Sequence, residues 1–138
     1  MNKDGVVVFK VAVGGNVTNT NNSYGAISDQ KVKENIADAS SQWDDIKAVR
    51  VRNYSMIADK ESSANRIGVV AQELESAGMG GLVETKPDFD PDTLKDLGTT
   101  TKSVKYSVLY MKAIKALQEA MEKIETLETK VAALEGGS

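Results

Sequence analysis

The stretch from Ser107 to Glu135 contains neither glycine nor proline, and its apolar residues recur with a heptad period. The a positions are Tyr110, Leu117, Ile124 and Val131, and the d positions are Ala113, Ala120, Leu127 and Leu134. Ser107 can cap the start of a helix, and Gly136-Gly137 can end it. The pattern predicts one long helix whose seam is covered by another helix, because an isolated helix of this length is marginal in water.

Charged residues flank this seam in a pattern typical of a parallel bundle. Lys123 and Lys130 lie at g positions, and Glu128 and Glu135 lie five residues later at e positions. The stripe is wider in the first half of the helix, which predicts that this half also packs on the rest of the chain. The a and d residues are compatible with a dimer as well as a trimer. A helix docked only on its own domain is the alternative.

The composition excludes several classes of site. The 138 residues include no histidine and no cysteine, which rules out a Ser-His triad, a cysteine nucleophile and a zinc site made from those residues. We expect no cofactor and no metal. The net charge of −3 argues against a nucleic-acid partner, and no apolar run approaches the ~20 residues of a membrane span. Asp88, Asp90 and Asp92 alternate as in a calcium loop, but Thr93 and Thr99 stand where an EF-hand needs Gly and Glu.

The remaining patterns predict an α+β fold, with a small β-hairpin or sheet, short helices and the long C-terminal helix. The β-branched stretch 5–13 predicts a strand, and residues 14–25 are nearly all turn formers. Helical spacing predicts a helix over 29–49, with a break at Ser40-Ser41, from the apolar residues Val32, Ile36, Ala39, Trp43 and Ile46.

The middle of the chain predicts a hairpin followed by a short helix. Residues 49–57 and 66–70 have β-alternation around a polar turn at 59–65. A short helix begins at Ala71 and stops at Gly78, and Leu82-Val83-Glu84 is a candidate third strand. Residues 85–102 carry both prolines and four acids, and we predict an acidic, solvated loop there.

One segment, Ser28 to Ile36, carries a candidate for covalent chemistry. It places a serine just outside a predicted helix start and Lys33 five positions later. In a chain without histidine or cysteine, a hydroxyl must be the nucleophile and Lys, Asp or Glu the base, and Ser-Lys pairs are a known variant of that arrangement. The structural alternative is a serine that only caps a helix and a lysine that is only solvated.

Four motifs in order resemble the intramolecular chaperone domain that ends many phage tailspikes and tail fibres, the endosialidase-type peptidase S74 family. Ser28 to Ile36 is similar to the opening signature, with Lys31 where arginine is usual and Val32 where leucine is usual. The other motifs are Val51-Arg52-Asn53-Tyr54, Arg66 to Leu74 and Val104 to Leu109. The resemblance covers 28–135, and residues 15–25 resemble the usual approach to a cleavage point.

The resemblance implies a homotrimer that folds the upstream shaft of its own chain and then cuts itself between Ile27 and Ser28. Ser28 is then the nucleophile and Lys33 its base. Supporting roles are implied for Asp29, Lys31, Asn35, Gln72 and Glu73. A trimerisation module that never cuts is the alternative.

The same resemblance implies three regions and a place of action. Residues 1–27 are the end of a β-structured fibre shaft, 28–106 a globular chaperone and autoprotease domain, and 107–138 the trimerising helix. We expect assembly in the host cytoplasm during virion formation and release from the mature fibre after the cut. We expect no partner beyond the trimer and the shaft, and neither nucleic acid nor membrane.

For this chemistry, Lys33 must be able to accept a proton from the Ser28 hydroxyl. The Ser28 hydroxyl can reach the carbonyl carbon of Ile27, but it is a poor nucleophile until a base takes its proton. A lysine, with an ordinary pKa of roughly 10.4, is a base only where burial or nearby cations lower that value. Lys31 is a candidate cation. Helical side chains lean toward the N-terminus, so we expect Lys33 to point back at Ser28 and N–H groups of the helix start to hold the oxyanion.

Overall fold

The computed structural model describes residues 8–12, 15–57 and 65–137, and the chain divides into two compact units. The first unit ends at Asp38 and the second begins at Ala39. Three antiparallel pairs of strands, short helices and one long C-terminal helix make up the fold. The predicted α+β class is confirmed.

The first unit consists of short elements joined by extended chain. Strand β1 (Phe9–Val11) pairs antiparallel with β2 (Val17–Asn19), so the predicted strand is present and a second one lies among the turn formers. A single 3₁₀ turn covers Gln30–Val32. The parts of the predicted strand at 5–7 and 13 lie outside the described residues.

The helix predicted over 29–49 is wrong for most of its length. Only α1 (Trp43–Ala48) is α-helical, and Asn35 has a φ of 53°, which breaks any helical run. Val32 and Ile36 repeat at helical spacing but are exposed, so they bury no surface that would stabilise a helix. Helical periodicity without a surface to pack on does not hold a helix of this length in water.

The predicted hairpin and short helix of the second unit are confirmed. Strand β3 (Arg52–Tyr54) pairs antiparallel with β4 (Arg66–Gly68). Helix α2 (Ala71–Ser76) follows and ends before Gly78, whose φ of 82° suits glycine. The polar turn predicted at 59–65 lies outside the described residues except for Asn65.

The loop predicted over 85–102 is wrong, because these residues form a second hairpin. Strands β5 (Val83–Phe89) and β6 (Asp96–Val104) pair antiparallel, with an irregularity between Pro87 and Phe89. Each strand of a two-stranded sheet is an edge, which tolerates proline, and the β-branched Thr85, Thr100 and Thr101 suit a strand. Of the candidate third strand, Val83 and Glu84 are the start of β5, whereas Leu82 ends a 3₁₀ turn at Gly80–Leu82.

The tip of this hairpin accounts for the alternating aspartates. The Asp90 carboxylate accepts hydrogen bonds from the backbone N–H and hydroxyl of Thr93 and from the N–H of Asp92. These donors, the Thr93 N–H first, hold the pKa of Asp90 below its ordinary value. Asp90 is therefore a turn-forming residue.

Helix α3 (Tyr106–Gly136) is the long helix that the heptads predict, and it begins one residue before the predicted cap. Its first half packs on the rest of the second unit, and its Leu109 joins Leu74, Met79 and Leu82 in the buried core. Ala116 is also buried, whereas from Met121 onward every side chain of the helix is exposed. No helix within the described residues has the length and apolar character needed to cross a bilayer.

Candidate functional site

Ser28 and Lys33 are in direct contact. The Lys33 ammonium Nζ donates a hydrogen bond to Ser28 Oγ over 2.6 Å. Both side chains are exposed, and Ile27, on the other side of the bond that would be cut, is 87% exposed. The serine, the lysine and the peptide bond are thus together on an open surface.

The 3₁₀ turn, rather than the predicted α-helix, brings the pair together. Asp29 precedes the turn, and its carboxylate accepts a hydrogen bond from the Lys31 N–H over 3.0 Å. The N–H groups of Val32 and Lys33 donate to the carbonyl oxygens of Asp29 and Gln30. Ser28 and Lys33 therefore stand at opposite ends of one tight turn, and the lysine side chain reaches back across it.

The implied supporting residues of this segment have structural contacts. Asp29 caps the turn and also pairs with the Lys31 ammonium over 3.5 Å. Asn35 adopts a left-handed backbone conformation, with a φ of 53°, which asparagine tolerates better than most residues. The N–H groups of Lys31, Val32 and Lys33 are already bonded, so an oxyanion would need other donors.

Glu73, in the second unit, is the centre of a charged cluster. Arg52 Nε donates to both carboxylate oxygens, at 3.2 and 3.0 Å, and Arg52 Nη2 donates to Oε1. Arg50 adds a longer ion pair of 3.4 Å. The hydrogen bonds from Arg52 are the largest cause that lowers the pKa of Glu73. A bidentate pair of this kind fixes α2 on strand β3.

Two tyrosines from separate motifs cover one glycine. A Cβ atom added to Gly68 would lie 2.9 Å from the Tyr106 hydroxyl and 3.2 Å from the Tyr54 ring. Tyr106 Oη also accepts a hydrogen bond from the Val69 N–H over 3.4 Å. Three of the four motifs in the sequence thus meet at this point of the second unit, and any larger residue there would require the rings to shift.

Gln72, the last of the residues with an implied supporting role, belongs to neither the charged cluster around Glu73 nor the tyrosine pair at Gly68. Gln72 lies in the first turn of α2 with an exposed side chain, and its carbonyl oxygen accepts a hydrogen bond from the Ser76 hydroxyl. Sequence reasoning missed Arg52 and Gly68, although both stand inside motifs that it quoted. The signal for Arg52 was a long cation on a predicted strand, which alone does not name its carboxylate partner.

No metal centre is formed by the residues that the structure describes, because no three acidic side chains there lie close enough to share an ion. The expected absence of a cofactor stays a prediction.

Comparison with known families agrees with the motifs. A model of the Peptidase S74 family, described as the chaperone of endosialidase, matches residues 28–83. The match begins at Ser28 and contains Lys33, Arg52, Gly68 and Glu73, and it ends before the motif at the start of α3. No curated protein matches the chain. Residues 28–83 are thus similar to the Peptidase S74 family of endosialidase chaperones.

Proposed function

We propose that this chain is an intramolecular chaperone that trimerises, folds a phage tail fibre or tailspike, and releases itself by cutting the Ile27–Ser28 bond. The observation that carries the proposal is the 2.6 Å hydrogen bond between Lys33 and Ser28, at the residue where the family match begins. The family's chaperone role supports the first part, and this contact supports the second.

The trimer is argued from the exposed seam of α3. Leu117 is 61% exposed, Ile124 55% and Leu134 79%, and all three lie on the a/d stripe. Single exposed apolar residues are ordinary, but a continuous stripe along most of a 31-residue helix marks an interaction surface. Matching helices from other subunits would cover it in a parallel bundle.

The contact between Ser28 and Lys33 supports the following course for the cut. Ser28 Oγ bonds to the carbonyl carbon of Ile27 while the bond to the Ser28 nitrogen breaks, which turns the amide into an ester. The hydroxyl proton passes to Lys33 and from there to the departing amino nitrogen. Water then cleaves the ester, releasing the Ile27 carboxylate and restoring the Ser28 hydroxyl.

Assembly would switch this chemistry on. A lysine takes up a proton only after it has lost its own, and burial or nearby cations favour that loss. The Ser28 and Lys33 side chains are exposed in the single subunit, so the burial must come from neighbouring subunits or from the shaft. The cut would then follow folding, and removing the chaperone would leave the shaft kinetically trapped in its folded state.

The test is the mass of the products from the full chain. The wild-type chain should yield a fragment that begins at Ser28, whereas Ser28→Ala and Lys33→Ala should each stay uncut because they remove the nucleophile or its base. Gln30→Ala, in the same turn, is the matched control and should be cut like the wild type. Sedimentation should find all four chains trimeric.

A permanent trimerisation module is the second candidate. The observation that favours it is the exposed α3 seam, which would assemble the chain whether or not Ser28 reacts. An uncut but trimeric wild-type chain would support this reading over autoproteolysis. A monomeric chain would contradict both.

A further inference from the structure

Helix α1 is held along one side of α3. Glu119 of α3 accepts a hydrogen bond from the Gln42 backbone N–H over 2.9 Å, and the Lys123 ammonium lies 3.4 Å from the centroid of the Trp43 ring. Glu119 occupies a c position and Lys123 a g position of the predicted heptads. Helix α1 therefore lies on the c/g side of α3, beside the apolar seam rather than over it.

Two apolar cavities adjoin each other between α3 and the elements that pack on it. The first, of about 380 Å³, lies at the start of α3 and reaches from Leu109 and Tyr110 to the exposed Ile67 of β4. The second, of about 280 Å³, lies between α3 and the half-buried Trp43 of α1. Ala113 lines both cavities, so together they form a groove along this side of the helix.

Small residues of α3 leave the space of the second cavity open. Ala113 and Ala120 at d positions and Ala116 at a g position line it, and Ala116 is only 7% exposed. In a coiled coil, each large side chain inserts as a knob into a hole between residues of the facing helix. Alanines do not fill the space beside them, so they provide such a hole.

Two large side chains on the other flank of α3 match the cavities in spacing. Ile114 and Met121 lie at successive e positions and are 47% and 53% exposed. They are one heptad apart, about 10 Å along the helix axis. The cavities have the same spacing, because the g residue Leu109 lines the first and the g residue Ala116, one heptad later, lines the second.

The register of a parallel bundle brings the two flanks together. A g residue of one helix faces the e residue five positions later on its neighbour. The g–e pairs of α3 are Leu109 with Ile114, Ala116 with Met121, Lys123 with Glu128 and Lys130 with Glu135. Two apolar pairs are followed by two pairs of opposite charge, and one register satisfies all four. A second copy of this chain therefore complements the groove in apolar character and in charge.

We propose that Ile114 and Met121 of one copy insert into the two cavities of the next copy around a closed parallel trimer. Each copy then supplies knobs on its e flank and holes on its g flank, and a contact of this head-to-tail kind closes into a ring. The interface includes α1 and the β3–β4 hairpin in addition to the α3 seam. The inference rests on the proposed trimer, whose contact residues it names.

Cross-linking tests the contact directly, because the chain has no cysteine of its own. A short bismaleimide should join the thiols introduced by Ala116→Cys and Met121→Cys between copies, and the closed ring should give a covalent trimer on a denaturing gel. The matched control keeps Ala116→Cys and moves the second thiol by one residue, to Glu122→Cys at an outward f position. We expect no covalent trimer from the control.

Dissociation of the trimer is a second measurement, which leaves the buried Ala116 unchanged. Met121→Ala removes a side chain that is exposed in the single subunit, so the subunit should keep its fold by circular dichroism. We expect the concentration at which trimers dissociate in sedimentation to rise on the order of tenfold or more, because each trimer loses three buried methionine side chains. Met111→Ala, an exposed methionine at a b position, should leave that concentration unchanged.

The outcomes separate this contact from the trimer itself. A trimeric chain whose Ala116→Cys and Met121→Cys thiols are not joined would overturn the insertion while the trimer stands. Equal dissociation of the Met121→Ala and Met111→Ala trimers would overturn it too, and the occupant of the groove would then be sought in the shaft. A wild-type chain that is monomeric at every concentration would instead contradict the proposed trimer.

Discussion

The two compact units differ in the interactions that stabilise each of them. In the second unit, Leu74, Met79, Leu82 and Leu109 form a buried core, and the Glu73–Arg52 pair and the Gln42–Glu119 hydrogen bond join elements distant in the chain. The described part of the first unit has no buried residue, and its elements are three-residue strands and one turn. The candidate chemistry therefore lies where the chain supplies the least of its own support.

This difference indicates a division of labour within the proposed function. A segment without a core is held by local hydrogen bonds, and such regions open at low cost in free energy. In the proposed function, the second unit carries the assembling helix and the first unit carries the bond that is cut. The predictions below separate the two units by experiment.

The largest effect is expected from a charge in the α3 seam. Ile124→Asp places a carboxylate at an a position, where it would be buried without a partner on assembly. We expect trimers to be lost and the rate of cutting to fall on the order of 10²-fold, since assembly raises the effective concentration of the subunits by that order or more. Sedimentation and mass spectrometry measure the two quantities. Gln118→Asp, at an outward b position, should leave both unchanged.

Full cutting in a monomeric Ile124→Asp chain would show that the segment needs no assembly. The two units would then differ in stability, but the cut in the first unit would not depend on assembly.

A core substitution should destabilise the second unit far more than a matched change in the first. Leu74 is 2% exposed, and Leu74→Ala should cost about 2–5 kcal/mol in the free energy of unfolding. Val32 is 59% exposed, and Val32→Ala should change that free energy by about 0.5 kcal/mol or less. Urea denaturation measures both, followed by Trp43 fluorescence for the second unit and by circular dichroism for the whole chain. A comparable loss of unfolding free energy for the two variants would contradict the absence of a core around the 3₁₀ turn at Gln30–Val32.

Gly68→Ala tests the tyrosine cover of the family motif. The added methyl group would lie 2.9 Å from the Tyr106 hydroxyl and 3.2 Å from the Tyr54 ring, so the rings must shift. We expect a loss of about 1–3 kcal/mol, as for other overpacked sites. Gly81→Ala is the control, because nothing lies within 4 Å of its added Cβ. Equal melting temperatures for the two variants would mean that the rings move aside freely.

The smallest effect is a pH dependence at Glu73. Arg52 lowers the pKa of this carboxyl in the folded chain, so the pair stabilises the fold fully above the ordinary value of 4.5 and progressively less as the pH falls through the lowered pKa. The difference in melting temperature between the wild type and Glu73→Gln should therefore be larger at neutral pH than in strong acid. Glu84→Gln, from an exposed pair, should show no such trend. A difference that grows toward acid would reverse the sign of this argument.

Local patterns predicted the elements that local forces build. The heptads and the absence of glycine and proline predicted α3, the β-alternation predicted the β3–β4 pair, and Gly78 predicted the end of α2. The closeness of Ser28 and Lys33 was expected for the wrong reason. A five-residue separation is short enough for a single 3₁₀ turn to join them, where a full helix was predicted.

The sequence by itself determined the long amphipathic helix, the family motifs and the exclusion of histidine and cysteine chemistry. Only the tertiary structure decided that 85–102 pair as a hairpin, that α1 starts at the Glu119 carboxylate and that Glu73 takes Arg52 as its partner. The physical reason is the separation along the chain over which each kind of interaction acts. Helix periodicity and turn propensity act over a few residues, whereas a cap supplied from 77 positions away exists only after the chain has folded.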